Sequence, residues 1–353
     1  MKPFVLNCLH TICLLLVFIG TGYAQKEFFR SNQVFTEDER SKLYSSVTLT
    51  DSLVIFNAID YKLYAYDKYN GSLKWSYPTN FKTNQPAFVD GNTIYAGIYS
   101  NQEESTATFD ARTGEKIKIL PFGPLSSTPL IKNRKLYGTA IYDFGCIIAY
   151  DIEKDTVTWS RFIAHGYEAQ PYYFKDKIVA NAEGRNWVEL TYDGSWIDTS
   201  CGERSETFVE YIPCLKKFNG LTHDRLEITE KFAEKTWEDE HARPDILSTD
   251  KLTFAVYDGK LIIIGDKLKI RQSQQISSFS GELAVDLRSK LLKADDENLW
   301  LLYGDYLLQY NYQLKKLVKL TNLTKWEPRS VVLDKENAWL ISRKDGLLYG
   351  LSL

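Results

Sequence analysis

The sequence predicts an all-β protein, a propeller of four-stranded blades, because two markers recur with one period. An aspartate that closes an aromatic-rich strand recurs at intervals of 43, 41 and 42 residues, and a proline that opens a strand recurs at intervals of 43 and 42. The aspartates are Asp67, Asp110, Asp151 and Asp193, and the prolines are Pro86, Pro129 and Pro171. A period of about 40 residues that holds four short strands is typical of a propeller blade.

Alternating aromatic and β-branched residues predict the strands within each unit. The second unit gives strands over 85–89, 93–99, 106–109 and 116–120. The third gives 129–131, 135–140, 146–150 and 156–162, and the fourth gives 171–174, 177–180 and 187–192. Because each unit packs only on its neighbours, residues 26–353 need form only one domain.

The same period returns near the C terminus, where similar apolar runs begin at Lys260, Asn298 and Asn337, 38 and 39 residues apart. The predicted hairpin partners of these runs are 267–270, 306–310 and 347–351. A degenerate unit, or a surface insertion, is therefore expected over about 205–250.

Counting the second strand of every unit gives eight blades, with seven as the alternative. The last unit lacks an outer strand, and the apolar residues between Phe28 and Phe35 belong to no other unit. We expect this N-terminal segment to complete the last blade, which closes the ring and removes an exposed strand edge.

Residues 1–24 resemble a cleaved secretory signal peptide. A positively charged start precedes an apolar run from Phe4 to Ile19, and small residues stand just before Gln25. The alternative is a membrane anchor, although the run is short and is interrupted by Asn7 and His10. We expect a periplasmic or secreted protein with no membrane span after signal removal.

Charge and cysteine content narrow the partners and the compartment. The formal net charge is −3 and its signs are interspersed, so neither nucleic acid nor a membrane surface is an expected partner. Three cysteines follow the signal segment: Cys146, Cys201 and Cys214. The last two are close enough in sequence to form a disulfide in an oxidising compartment, or they remain reduced.

The segment from Ala65 to Trp75 carries Asp67, Gly71 and Trp75 at fixed intervals. This pattern resembles the tryptophan-docking motif of pyrroloquinoline-quinone-type propeller repeats, and residues 110–115 are similar to its turn. The resemblance covers residues 50–200 well and the remainder loosely. That family includes quinone-dependent dehydrogenases and cofactor-free members, such as the propeller lipoprotein of the outer-membrane β-barrel assembly machinery. The dehydrogenases have an adjacent cysteine pair that is missing here, so the resemblance implies the cofactor-free type.

The motif residues are expected to be structural. An aspartate at a strand end bonds the backbone that follows it, a glycine permits positive φ, and a tryptophan eight residues later packs on the next blade. Lys118 stands at the tryptophan position of the second unit and is expected to lack this role, and Asp155 stands at a glycine position. The structural set is Asp67, Gly71, Trp75, Asp110, Gly114, Asp151, Trp159 and Asp193.

No catalytic residue or metal ligand is predicted. His165, His223 and His241 lack the spacing of a zinc site, and the chain has no GxSxG, P-loop or GxGxxG pattern. The second hypothesis, weighed beside a non-catalytic scaffold, is a small quinoprotein or metal-dependent enzyme with its site over the central channel.

The expected binding face is the end of the ring that carries the loops between second and third strands, together with loops between blades. Exposed aromatic residues among charges of both signs suit a protein or glycan partner, and the alternative is an ordinary polar loop surface. The candidates are Asp60, Tyr61, Lys62, Glu103, Glu104, Asp143, Phe144, His165, Tyr167, Glu168, Arg185 and Asn186.

Overall fold

The computed structural model describes residues 25–41, 44–83, 85–142, 144–164, 171–173, 176–182, 186–197, 245–249, 251–257, 259–264, 270–280, 283, 289–335 and 337–353. Within these residues the chain forms 27 β-strands and two short helices. No helix among them is long and apolar enough to cross a membrane. The predicted signal peptide, the three histidines, Cys201 and Cys214 lie outside the described residues.

The described strands form seven antiparallel sheets, which are the blades of a β-propeller. The first strand of the chain is β1 (Lys26–Arg30), which is followed by helix α1 (Glu37–Ser41). Blade 1 comprises β2 (Ser46–Leu49), β3 (Leu53–Asn57), β4 (Lys62–Asp67) and β5 (Leu73–Pro78). Blade 2 comprises β6 (Phe88–Asp90), β7 (Thr93–Ser100), β8 (Glu103–Asp110) and β9 (Lys116–Ile119). Blade 3 comprises β10 (Leu130–Lys132), β11 (Lys135–Tyr142), β12 (Phe144–Asp151) and β13 (Thr156–Ala164).

The remaining blades follow in chain order. Blade 4 comprises β14 (Tyr172–Tyr173), β15 (Lys177–Ala182) and β16 (Asn186–Thr191), with an isolated bridge from Leu190 to Trp196. Blade 5 comprises β17 (Asp245–Ser248), β18 (Thr253–Tyr257), β19 (Lys260–Ile264) and β20 (Ile270–Gln275), and helix α2 (Ser277–Ser280) follows it. Blade 6 comprises β21 (Ser289–Ala294), β22 (Asn298–Tyr303), β23 (Tyr306–Asn311) and β24 (Lys316–Asn322). Blade 7 begins with β25 (Pro328–Asp334), β26 (Asn337–Ser342) and β27 (Leu348–Ser352).

The sequence misplaced one strand of blade 5. The run at Lys260 was expected to be a second strand, yet β19 pairs with both β18 and β20 and is therefore the third. Both β18 and β19 are apolar and lie in the middle of the sheet, so hydrophobicity alone does not show which of them is the second strand of the blade. The inner strand β17 begins at Asp245, which leaves only residues up to 244 for the predicted degenerate unit. An eighth blade there lies outside the described residues.

The N-terminal strand closes the ring, as predicted. β1 pairs antiparallel with β27, from Lys26 opposite Ser352 to Arg30 opposite Tyr349, and so becomes the outer strand of blade 7. The inner strand of blade 1, β2, packs on β25 and β26. Both termini of the described chain therefore contribute to one blade, whose edge would otherwise be open.

The hydrophobic core lies between the faces of neighbouring blades. β3 shows this, since every residue from Leu53 to Asn57 is buried: its two faces pack against different neighbours. Val54 and Phe56 belong to the cluster shared with blade 7, whereas Leu53 and Ile55 belong to the cluster shared with blade 2. A central strand buried on both faces must be apolar throughout, which explains the continuous apolar runs in the sequence.

Helix α1 is fixed at its start by a capping box. The Thr36 hydroxyl accepts a hydrogen bond from the Glu39 N–H at 3.1 Å, and the Glu39 carboxylate accepts one from the Thr36 N–H at 2.8 Å. This helix lies in the connection from the outer strand of blade 7 to the inner strand of blade 1. A short capped helix therefore orders the connection from the closing strand to blade 1.

Candidate binding face

The turns between the third and fourth strands are built by aspartates at the strand ends. The Asp67 carboxylate accepts hydrogen bonds from the N–H groups of Tyr69 at 2.9 Å and Asn70 at 3.1 Å, and these bonds lower its pKa. Gly71 then takes the left-handed conformation, with φ of 71°. The equivalent aspartates Asp110, Asp151 and Asp193 also accept hydrogen bonds from the backbone that follows them.

Trp75 and Trp159 each pack on the turn between the third and fourth strands of the following blade. The Trp75 indole N–H donates to the Ala111 carbonyl at 2.8 Å, and its ring lies so close to Gly114 that a Cβ there would sit 2.5 Å from it. Trp159 repeats this contact by donating to the Tyr192 carbonyl at 3.2 Å, with its ring against Gly194. The glycines are therefore required by a positive φ and by the approach of an aromatic ring.

Phe29 makes the same contact at the point of closure. Its ring on β1 lies against Gly71 of blade 1, where a Cβ would approach to 2.8 Å, and it also contacts Trp339 of its own blade. The sequence analysis did not predict that Phe29 docks on the next blade, because nearly the whole chain separates Phe29 from the rest of blade 7. An aromatic residue at the middle of an unassigned N-terminal strand was the available signal.

The contacts of Lys118 differ from those expected from the sequence. It was expected to make no contact like that of tryptophan, but its ammonium group donates to the Tyr150 hydroxyl at 2.9 Å and pairs with Asp155 at 2.9 Å, both on blade 3. Asp155 has φ of 54° at the position where other turns have glycine. The hydrogen bond from the Tyr150 hydroxyl and then that from Lys118 lower the pKa of Asp155. A polar contact thus joins blades 2 and 3 where the tryptophan and glycine are replaced.

The turns between second and third strands, which we call the 2–3 turns, share the opposite end of the ring because all blades have the same strand order. In blade 1 this turn contains Asp60 and Tyr61. The Tyr61 carbonyl, at a residue with φ of 62°, accepts hydrogen bonds from the Thr79 N–H at 3.0 Å and the Thr79 hydroxyl at 2.6 Å. Asp60 accepts a hydrogen bond from the Tyr64 hydroxyl at 2.7 Å and pairs with Lys62 at 3.1 Å. The turn is therefore fixed before any partner binds.

The 2–3 turns of blades 2 and 3 present aromatic rings to solvent. Tyr99, near the end of β7, is 46% exposed, and Phe144, at the start of β12, is 54% exposed. The Phe144 ring meets Phe162 edge to face at 5.5 Å. Glu103 and Glu104 begin β8 and are both exposed. Tyr99 was not among the predicted candidates; it shares a face of β7 with the buried Tyr95 and is exposed because it lies at the end of the strand, next to the turn.

The 2–3 turns of blades 6 and 7 are joined by charged side chains that the sequence did not single out. Arg343 of blade 7 donates to the Asp305 carboxylate of blade 6 at 2.6 Å. Asp345 accepts hydrogen bonds from the Tyr349 hydroxyl and from Arg30 of β1, the latter at 3.4 Å. These pairs fix the face beside the closure, and the partners Arg30 and Asp345 lie near opposite ends of the sequence.

Of the remaining predicted candidates, the structure describes only Asn186. It begins β16, directly after a 2–3 turn, and its backbone pairs with Ala182. The candidates that lie outside the described residues are Asp143, His165, Tyr167, Glu168 and Arg185.

Polar groups on or just before the inner strands join neighbouring blades. Gln85 donates to the Thr128 hydroxyl at 3.2 Å, and the Tyr173 hydroxyl donates to the Thr128 carbonyl at 3.3 Å, which links blades 2, 3 and 4. In the described part of the chain, no group of three or more His, Cys, Asp or Glu side chains is placed to hold a metal ion. An open groove of about 460 Å³ lies at the other end of the ring between blades 1 and 2 and includes Lys74 and Arg112.

Solved structures share this architecture. The crystal structure of BamB from Moraxella catarrhalis is 13% identical in sequence, with a TM-score of 0.47 over 88% of this chain and 82% of BamB. The computationally designed Ika8 protein is 9% identical, with a TM-score of 0.56 over 87% of this chain and 95% of Ika8. At such low identity, the similarity to Ika8 shows the β-propeller fold alone. No family model matches the chain, and the search of curated proteins found no match.

Proposed function

We propose that this protein is an exported, non-catalytic β-propeller scaffold that binds a protein or glycan partner through its 2–3 turns. The observation that carries the proposal is the exposure of Tyr99 and Phe144 on turns of neighbouring blades. An exposed ring gives a partner apolar area at little cost in conformational entropy, and flanking charges orient it. The motif resemblance to cofactor-free propeller repeats agrees with a scaffold.

The rigidity of the 2–3 turns supports binding without a large rearrangement. Tyr61 is held through its carbonyl by Thr79, and the Tyr99 N–H donates to the Thr79 carbonyl at 2.8 Å. One residue of the connection between blades 1 and 2 therefore holds both turns. A surface that is already ordered loses less entropy when it binds.

The test replaces the exposed rings of the 2–3 turns and, as a control, an exposed apolar side chain of an outer strand. Tyr99→Ala with Phe144→Ala removes the rings of the 2–3 turns, whereas Ile117→Ala removes a 57% exposed side chain from the outer strand β9. Immobilised mature protein is used to capture partners from the source envelope and to probe a glycan array. We expect the double variant to keep its melting temperature and to lose at least tenfold in retained partner, with Ile117→Ala unchanged; a factor of ten corresponds to about 1.4 kcal/mol.

Undiminished capture by a well-folded double variant would move the binding site away from the 2–3 turns. An equal loss of retained partner in Ile117→Ala would mean that the retention reflects non-specific hydrophobic binding. Either result would refute the proposal.

A further inference from the structure

The 2–3 turns of blades 2 and 3 form a distinct surface, which we call the acidic aromatic patch: Tyr99, Glu103, Glu104, Tyr142 and Phe144. Tyr142 ends β11 and Phe144 begins β12, so both lie at the tip of one hairpin. Tyr99 lies opposite Glu104 in the adjacent hairpin of blade 2. Rings and carboxylates thus share the tips of two consecutive blades.

The sequence keeps basic residues away from these tips. No Lys or Arg occurs in residues 83–111, 119–131 or 136–153, which contain both hairpins except Lys135, the first residue of β11. Of the cations that end these stretches, Arg112 in the turn after β8 and Lys135 at the start of β11 lie toward the other end of the ring. Lys82 is exposed and lies at the patch end, in the connection whose Thr79 carbonyl accepts a hydrogen bond from the Tyr99 N–H. Arg161 of β13 donates to the Gly194 carbonyl at 2.7 Å and so turns toward blade 4. The patch therefore combines carboxylates with aromatic rings, and neither hairpin has a Lys or Arg at its tip.

We propose that the acidic aromatic patch binds an extended polypeptide segment that carries arginine or lysine side chains. This inference rests on the proposed function and specifies the chemistry of its partner. A guanidinium group stacks on an aromatic face and forms paired hydrogen bonds with a carboxylate, so it uses both kinds of group on the patch. The carboxylates accept hydrogen bonds and donate none, which favours a donor-rich cation over a neutral sugar. Because the rings belong to neighbouring blades, an extended segment contacts both.

The experiment uses a fluorescein-labelled hexa-arginine peptide as the probe, titrated with the mature protein and followed by anisotropy. Glu103→Gln with Glu104→Gln removes the charge of the patch while preserving its shape. The matched control, Glu115→Gln with Ile117→Ala, removes an exposed carboxylate and an exposed apolar side chain from the same blade at its other turn and outer strand. A hexaglutamate peptide serves as the probe of opposite sign.

We expect the Glu103 and Glu104 pair of substitutions to raise the Kd for hexa-arginine about fivefold, from the size of two exposed ion pairs. Phe144→Ala should raise it by a similar factor, and the control variant should stay within about twofold. The wild-type Kd should rise with sodium chloride concentration, because exposed charge pairs are screened. Hexaglutamate should not bind.

Equal weakening by the patch and control variants would overturn the inference, since it would reflect the charge of the whole chain. So would hexa-arginine binding that is insensitive to the two Glu→Gln changes. Should a captured envelope partner be lost with Phe144→Ala yet remain unaffected by those changes and by hexa-arginine competition, the proposed function would hold and the cationic partner would be wrong. A partner unaffected by Phe144→Ala and by Tyr99→Ala would refute both.

Discussion

The contact between Trp75 and Gly114 gives the sharpest test of how the blades hold together. Trp75 is only 8% exposed, and its indole donates to the Ala111 carbonyl of the next blade. An indole that buries about 200 Å² at about 25 cal/mol per Å² contributes about 5 kcal/mol. Trp75→Ala should therefore lower the free energy of unfolding by about 4 to 5 kcal/mol, the upper part of the range for large aromatic deletions.

A double-mutant cycle isolates the contact itself. Gly114→Ala alone should cost about 2 to 5 kcal/mol, because φ of 73° is strained for alanine and the new Cβ meets the indole at 2.5 Å. In the Trp75→Ala background the clash is gone, so only the backbone cost of about 1 to 2 kcal/mol should remain. Denaturant unfolding of the four proteins measures the coupling, which we expect to be about 1 to 3 kcal/mol.

The control for this cycle lies on the same strand. Leu73 of β5 is 49% exposed, and Leu73→Ala should change stability by no more than about 0.5 kcal/mol. Additive effects of Trp75→Ala and Gly114→Ala would show that the two residues do not touch. A Leu73→Ala cost equal to that of Trp75→Ala would contradict the assignment of the buried face.

Three further predictions concern charged or ionisable side chains whose neighbours are defined in the structure. Lys118→Ala should cost about 1 kcal/mol or less, well below Trp75→Ala, because its ion pair with Asp155 is partly exposed; the loss, measured by denaturant unfolding, should shrink at high salt. Burial raises the pKa of Tyr95 to about 12, so its contribution to stability is complete below about pH 10 and is lost as the pH rises to about 12; Tyr95→Phe should flatten this alkaline loss in melts. The lowered pKa of Asp67 stabilises the fold above about pH 3.9 and the effect is lost as the pH falls through the folded value; Asp67→Asn, which keeps the acceptor oxygen, should flatten the acid loss.

Much of the fold was predictable because its determinants are local. Asp67, Gly71 and Trp75 lie within nine residues, and each is required by one turn or by one contact with the next blade. Their recurrence gave the blade period and the strand order of blades 1 to 4. The closing strand was predictable for a different reason: an open edge at the end of the last blade needs a partner.

The contacts that could not be predicted join residues that are distant in sequence, or replace the usual tryptophan and glycine by residues of a different chemical type. Lys118 substitutes for a tryptophan only because Asp155 and Tyr150 stand opposite it, and no spacing rule expresses this exchange. The contact of Phe29 with Gly71 joins an unassigned strand to the first blade.

The sequence predicted which residues lie at the end of the ring with the 2–3 turns, but not which of their side chains are exposed. Turn position placed Asp60 and Phe144 at the 2–3 turns, since strand order determines that end. The exposure of Tyr99 and the joining of Asp305 to Arg343 required the packing of neighbouring blades. The identity of a binding surface depends on which side chains remain exposed after the blades assemble.

The closure of the ring by β1 is tested most directly by hydrogen exchange on β27. A chain that begins at Gln25 is compared with a version that also lacks residues 26–40, and light scattering records the size of both. We predict that the amides of β27 that face β1 lose protection in the shortened chain, that its melting temperature falls, and that it aggregates through the exposed edge. A soluble, monomeric shortened chain with unchanged melting temperature and unchanged protection of β27 would contradict the closure.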